Sequence, residues 1–447
     1  MLDSVLVANR GEIARRIVRA CRGLGMRSVV VYSEADAGWP HVKEADHAVL
    51  IGPAPARESY LNVERILEAA RRSGAQAVHP GYGFLSEEWR FARACEEAGL
   101  VFVGPPWEAI KTMALKTQAR ERVAGVGVPV VPGSEGPVGD PEEAKGVAAR
   151  IGYPILLKAV GGGGGIGMVR ADDPEGLTQA FAVAQRRAQA AFGSGALYLE
   201  RCLEAPRHVE VQIFGDSHGQ IVHLHERECS VQRRHQKLVE ESPAPGLPSG
   251  LKGRLTEAAL AVARAVGYVN AGTVEFLVSG DRFYFLEMNT RLQVEHPVTE
   301  EVTGVDLVQA QLRVAAGERF SWDQAEIPQR GVSVECRIYA EDPARRFLPS
   351  PGTIAALVLP EGEGVRVECG VAPGIEVTVH YDPLLAKLVT RGETRAEAID
   401  RMARALAEFK VEGVKTTVPF HQRVMAHRDF REGAIHTQMV ERGAFDA

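Results

Sequence analysis

Five consecutive glycines at residues 161–165, continued by Ile166 and Gly167, follow directly on the run Tyr-Pro-Ile-Leu-Leu-Lys-Ala-Val at 153–160. Such a run has no side chains to pack and loses more backbone freedom on ordering than any other sequence. A stable fold keeps it only where backbone amides must approach something closely, and phosphate is the usual partner. The preceding strand-like run delivers Lys158 to the mouth of the loop. Because the GK[ST] ending of a P-loop is absent, the pattern reads as a phosphate lid supported by Lys158 rather than a Walker motif. A flexible linker is the bland alternative, and the continuation Met168-Val169-Arg170 counts against it.

A second stretch, residues 284–297 (YFLEMNTRLQVEHP), alternates. In an extended backbone Glu287, Asn289, Arg291, Gln293 and Glu295 would line one side, about 7 Å apart per step. Carboxylates, amides and a guanidinium in one row suit divalent cations and a small oxyanion together. A half-buried strand with a solvated face is the competing reading. The hairpin ahead of it, 273–278 and 282–288, sharpens the choice. A three-residue loop at 280–282 pairs Ser279 with Phe283 and brings Glu275 opposite Glu287. Like charges directly opposed are unfavourable, so either a two-residue loop breaks the pairing or a cation fills the gap.

A chain of 447 residues is too long for one ordinary core, and two to four domains or subdomains are expected. The net charge of −6 argues against nucleic acid or an anionic membrane as main partner. No window approaches the ~18 apolar residues of a membrane span, and the first residues lack a signal-peptide pattern, so a cytoplasmic protein is expected. The six cysteines show no metal-type spacing and read as reduced, buried thiols.

Residues 4–8, 28–32, 75–78 and 100–104 are short apolar strands, with helical spacing at 12–24 and 62–73. They describe an open parallel α/β domain over 1–113, with the glycine-rich loop 79–87 at a strand's carboxyl end, where ligands collect. The first turn has one glycine instead of GxGxxG, so a dinucleotide site is poorly supported. The pattern is helical over 107–124, with Lys116 inside it, over 142–151 and over 174–192. The strand 196–203 leaves Glu200 near its end, as a solvated residue or as a partner for a purine amino group. A hairpin joins 208–214 to 220–226, and residues 232–237 (QRRHQK) are either an exposed charge run or an anion clamp. A helix covers 251–266. The segment from 331 onward mixes short strands with an amphipathic helix at 394–408, an α+β subdomain in which Asp382 reads as a turn residue.

Taken together, Ala8-Asn9-Arg10-Gly11-Glu12-Ile13-Ala14, the loop 79–87 (HPGYGFLSE), Lys158 with its glycines, 232–237, 287–296 and Glu335-Cys336-Arg337-Ile338 resemble the biotin carboxylase group of ATP-grasp ligases. The resemblance spans essentially the whole chain. It implies an N-terminal domain at 1–113, an ATP-grasp domain at 114–330 with a mobile lid subdomain at about 131–204, and a C-terminal domain at 331–447. The activity it implies is ATP-dependent carboxylation of biotin by bicarbonate through carboxyphosphate, the first half-reaction of an acyl-CoA carboxylase. Lys116, Lys158, Glu200, Leu203, His208, Gln232 and His235 would hold ATP, with Gly163, Gly164 and Gly165 closing over its phosphates. Glu275, Glu287 and Asn289 would ligate two magnesium ions, for which manganese can substitute. Arg291, Gln293 and the Val294 amide would bind bicarbonate, and Glu295 would act as general base. Lys237 would sit beside the transferred phosphoryl group, and Arg337 would stabilise the biotin enolate.

Two features depart from the family's usual pattern: the apolar, shorter Ile166-Gly167-Met168-Val169 in the lid, and the absence of a Met-Lys-Met biotin-attachment site in a chain ending at Ala447. The second implies a separate biotin carboxyl carrier protein and a carboxyltransferase as partners, with a homodimer as a further expectation. Another ATP-grasp carboxylate ligase and a nucleotide-binding regulatory protein without turnover are the alternatives.

Overall fold

Fully buried Val5, Leu6 and Val7 lie between Ser28–Val30 and Ala77–His79 at the centre of the first layer. The computed structural model describes residues 2–160 and 168–446. Five parallel strands run in the order His47–Gly52, Arg27–Ser33, Ser4–Val7, Ala77–His79, Val101–Phe102. Strand order reverses between Ser4–Val7 and Ala77–His79, so their carboxyl-end loops diverge there and leave a crevice. Asn9 ties the two loops together, donating from Nδ2 to the carbonyls of Pro80 and Tyr82 at 2.7 Å each. Gly81, at φ +63°, lets the loop come this close, since a Cβ there would lie 2.8 Å from Asn9 Nδ2. The edge strand His47–Gly52 has no counterpart in the sequence reading, because it is only half-buried and carries no clean alternation.

Eight strands make the second sheet, in the order Arg282–Asn289, Asn270–Ser279, Arg207–Gly215, Ile221–Arg233, Gln236–Ser242, Val332–Tyr339, Leu384–Gly392, Val365–Cys369. All its pairings are antiparallel. The sheet continues without a break across residue 330, because Val239 to Ser242 pair with Cys336 to Ser333. A third, small sheet, Val169–Ala171, Ile155–Ala159, Leu197–Arg201, is covered by the helices Pro141–Ile151 and Pro174–Phe192. Asp140 and Asp173 cap these helices and proline opens each, which fixes their starts. The glycines at 161–167 lie outside the described residues.

One long helix expected at 107–124 is two, Trp107–Ala114 and Lys116–Gly125. Leu115 is extended at φ −93°, ψ 100°, and interrupts a pattern that periodicity alone reads as continuous. The six cysteines are buried and unpaired. Among the described residues no helix is long and apolar enough to cross a membrane.

Two fully buried cations stitch the layers. Arg227 donates to Glu210 at 2.6 Å, Gln212 at 2.8 Å, and Thr273 and Thr299 at 3.0 Å each, joining three strands to the helix His296–Thr303. Lys387, from the strand Leu384–Gly392, donates to the Val294 carbonyl at 2.7 Å and lies 3.3 Å from Glu12 of the first helix, Gly11–Gly23. Burial pushes the Glu12 carboxyl up to about 7, and Lys387 offsets this only in part.

Removing a buried ion-pair partner leaves its mate uncompensated, so Arg227→Met should cost about 3–5 kcal/mol, read as a lowered thermal midpoint. An unchanged midpoint would mean Glu210 does not need this partner. A carboxyl whose folded pKa lies above its unfolded value stabilises fully below the unfolded pKa, near 4.5, and loses that contribution as pH rises through about 7. Glu12→Gln should therefore flatten the stability profile between these limits, measured by urea denaturation across pH.

Candidate active site

The hairpin Asn270–Ser279 and Arg282–Asn289 sets the acidic end of the site. Its turn is the two residues Gly280-Asp281, with Ser279 opposite Arg282, so the three-residue loop read from sequence does not form. Gly280, at φ +62°, supplies the left-handed first position that such a tight turn favours. A bulge then inserts Leu286 as an unpaired residue between Phe285 and Glu287. The two differences cancel, and Glu275 stands opposite Glu287 after all. Glu275 also stands opposite Glu210, and Glu210 opposite Arg227. Glu287, Glu275, Glu210 and Arg227 thus form one row across four neighbouring strands.

Lys237 reaches over the row from Gln236–Ser242. Its ammonium lies 2.5 Å from Glu210, 2.8 Å from Glu275 and 2.6 Å from Glu295. Burial disfavours the charged amine, but the three carboxylates outweigh that and hold its pKa well above the usual lysine value. His208 Nε2 sits 3.2 Å from Glu275. Burial would lower this imidazole too, yet Glu275 pulls it up to about 9. Glu275, buried as deeply, is held low by Lys237 and His208.

The polar row does not continue as a strand. The strand ends at Asn289, and Glu295 is the N-cap residue of the helix His296–Thr303, at φ −79°, ψ 12°. Same-face alternation therefore fails beyond Asn289. Pro297 favours a helix start, and the Thr290 amide is drawn to Glu87 at 3.1 Å instead of to a strand partner. Hydrogen bonds bring the side chains together nonetheless. Arg291 donates to Asn289 Oδ1 at 3.0 Å, Gln293 Oε1 at 2.9 Å and Glu87 Oε2 at 2.9 Å. Asn289 and Gln293 in turn donate to Glu275 Oε1 at 2.7 and 3.0 Å.

Arg337 approaches from Val332–Tyr339, donating to Glu240 at 2.6 Å and to Glu295 at 2.9 Å. Its carbonyl is held by the Thr417 hydroxyl at 3.0 Å and by His421 Nε2 at 2.7 Å. Burial would raise the Glu295 carboxyl, but Lys237, and after it Arg337, keeps it below the usual carboxylate range.

An open cleft of about 540 Å³ gathers Lys158, Glu200, Leu203, His208, Gln232, His235, Lys237, Glu275, Glu287, Asn289, Arg291, Gln293, Val294 and Arg337. Glu295 lies directly beneath, fully buried. Glu200 is buried rather than solvated, paired with both Lys158 and Arg120. Gly163, Gly164, Gly165 and the side chain of Lys116 lie outside the described residues. The 232–237 run resolves into a hairpin end: Gln232 pairs with Lys237 and Arg233 with Gln236. Asp382 accepts from the Leu384 amide at 2.9 Å, as a turn aspartate does.

Three participants escaped the sequence reading, Arg120, Glu210 and Glu240, and Glu87 entered it only as the last residue of the loop 79–87. Glu210 and Glu240 lie inside apolar strand runs, where a charge that cannot reach water is itself a signal. Among the described residues, two groups of metal-ligand type have their atoms within 4.8 Å: His208, Glu210 and Glu275, and Glu210, Cys229 and Glu295. Lys237 already supplies a positive charge to both.

Comparison with known proteins gives a consistent answer. Family models match along the chain: biotin carboxylase, N-terminal domain, at 1–110; carbamoyl-phosphate synthase L chain, ATP binding domain, at 116–322; and biotin carboxylase C-terminal domain at 335–442. The chain is 53% identical to biotin carboxylase of Halalkalibacterium halodurans, over 98% of this chain and 97% of that one. It is 51% identical to biotin carboxylase 2 of Bacillus subtilis, over 99% of each. The dimeric biotin carboxylase domain of Hydrogenobacter thermophilus 2-oxoglutarate carboxylase, solved with MgADP, ADP and bicarbonate, superposes with a TM-score of 0.95 at 47% identity, over 100% of this chain and 99% of that one. A parallel α/β sheet followed by an ATP-grasp sheet that closes on Lys237, Glu295 and Arg337, with relatives matched end to end, places the chain in the biotin carboxylase family of ATP-dependent ligases.

Proposed function

We propose that this chain uses ATP and bicarbonate to carboxylate biotin carried on a separate protein, as the first half-reaction of an acyl-CoA carboxylase. The observation that carries the reading is Glu295, held between Lys237 at 2.6 Å and Arg337 at 2.9 Å. This single carboxylate joins the group beside the phosphoryl transfer to the group that would receive biotin.

In this scheme Lys116, Lys158, Glu200, Leu203, His208, Gln232 and His235 hold the nucleotide along the cleft. Glu275 and Glu287 present hard oxygen ligands face to face, and Asn289 adds an amide, a donor set that fits magnesium. Magnesium held there would neutralise phosphate charge. Arg291, Gln293 and the Val294 amide orient bicarbonate. The Arg291 guanidinium is fixed on three sides by Glu87, Asn289 and Gln293, so little reorganisation accompanies binding.

Glu295 takes the bicarbonate proton as an oxygen of that anion bonds to the γ-phosphorus of ATP and ADP leaves. At rest Lys237 and Arg337 make Glu295 a weak base. Its basicity rises when Lys237 turns toward the transferred phosphoryl group and Arg337 toward the biotin ureido oxygen, because both countercharges then move away. The carboxyphosphate formed splits to carbon dioxide and phosphate. Phosphate accepts the biotin N–H proton, and the enolate, stabilised by Arg337, attacks carbon dioxide. A carboxyltransferase then passes the carboxyl group to its acceptor.

The test is ADP release with magnesium and bicarbonate, with and without biotin. Biotin should stimulate release, and no stimulation would sink the reading. Glu295→Gln should lower kcat by about 10²–10⁴-fold, the usual worth of a general base, while nucleotide affinity by calorimetry stays within about twofold. Loss of both together would mean that Glu295 holds the fold of the cleft rather than a proton.

A further inference from the structure

The charge run at 232–237 contributes Gln232, His235, Gln236 and Lys237 to the cleft and leaves Arg233 and Arg234 outside it. The turn is made by Arg234 and His235, at φ +48° and +66°. Two residues with positive φ are what a tight hairpin turn requires, but asparagine and glycine adopt that conformation far more readily than arginine and histidine. Against this tip lies a second left-handed pair, Arg346 and Phe347, at +56° and +58°. Arg233 joins the two loops, donating to the Arg346 carbonyl at 2.9 Å with its guanidinium 4.7 Å over the Phe347 ring. Arg233 thereby turns inward. Arg234, Arg345 and Arg346 are exposed, and none of their side chains is in an ion pair. Three positive charges outside any ion pair thus sit on the two loops that Arg233 joins, beside the cleft, in a chain of net charge −6.

We propose that Arg234, Arg345 and Arg346 form the docking face for an acidic surface of the carrier protein that brings biotin to the cleft, an inference that rests on the function proposed above. A biotin tethered to a folded carrier reaches Arg337 only if the carrier itself settles on the rim. An acidic carrier is repelled by the net charge of the chain elsewhere and drawn to this patch, so the patch sets orientation as well as encounter rate. Free biotin, small and without that surface, does not need it.

The test compares a biotinylated carrier protein of net negative charge with free biotin. Reversing all three charges (Arg234→Glu, Arg345→Glu and Arg346→Glu together) should raise KM for the carrier about tenfold at low salt, with the difference fading at high salt. Free-biotin carboxylation and biotin-independent, bicarbonate-dependent ADP release should not change. The milder set Arg234→Gln, Arg345→Gln and Arg346→Gln should move the carrier KM in the same direction and guards against misfolding. Reversing the exposed Arg57, Arg71 and Arg72 on the N-terminal sheet's side should leave the carrier KM unaltered. An unchanged carrier KM in the rim variants, or an equal loss with carrier and free biotin, overturns the docking face while the function stands. A wild-type chain that carboxylates neither form of biotin overturns the function and the docking face with it.

Discussion

Three carboxylates on adjacent strands, Glu287, Glu275 and Glu210, cannot all be ionised side by side without positive charge to offset them. Much of the molecule answers this requirement. Arg227 closes the row from the fourth strand, buried among hydroxyl and amide oxygens from three elements. Lys237 crosses above it, and His208 flanks it as an imidazolium. At the outer end of the row, Glu287 lies at the surface and lines the open cleft.

The same electrostatics separates the states of the site. Each of these cations is matched to carboxylates within the protein: Lys158 to Glu200, Lys237 to three glutamates, Arg337 to Glu240 and Glu295. Ligands in the proposed reaction replace those carboxylates one by one as partners of the cations. Charge is then exchanged between protein and substrate rather than created in a dry interior, which keeps the cost of each step small.

Four of the five strands of the first sheet, the strands Ile155–Ala159 and Leu197–Arg201, and helices such as Pro174–Phe192 were legible because burial and periodicity coincide there. At Pro174–Phe192 the acidic cap, the opening proline and the closing Gly193 all agree. Register was less accessible. Glu275 met Glu287 in both readings, but through a two-residue turn and a bulge at Leu286 that no composition signal announces. The row past Asn289 shows the opposite case: the residues that converge could be named, while the backbone that brings them together could not. Glu87, 203 residues away from Thr290, illustrates why, since a contact between sheets leaves no local trace. Glu210 and Glu240 were hidden because a buried glutamate and a solvated one look alike until the strand around them is placed.

The second sheet is continuous from Arg282–Asn289 to Val365–Cys369, and it carries Arg337 on a strand laid beside the one that carries Lys237. Lys387, one strand further, holds the carbonyl of Val294. The segment from 331 onward therefore cannot be exchanged between relatives as an interchangeable module. A hybrid would bring its own counterpart of Arg337 and its own clamp on the Val294 carbonyl, joined edge to edge to a foreign partner. Lineages of this architecture would be expected to inherit the two parts as one unit, with recombination tolerated at the outer helices and not at the seam.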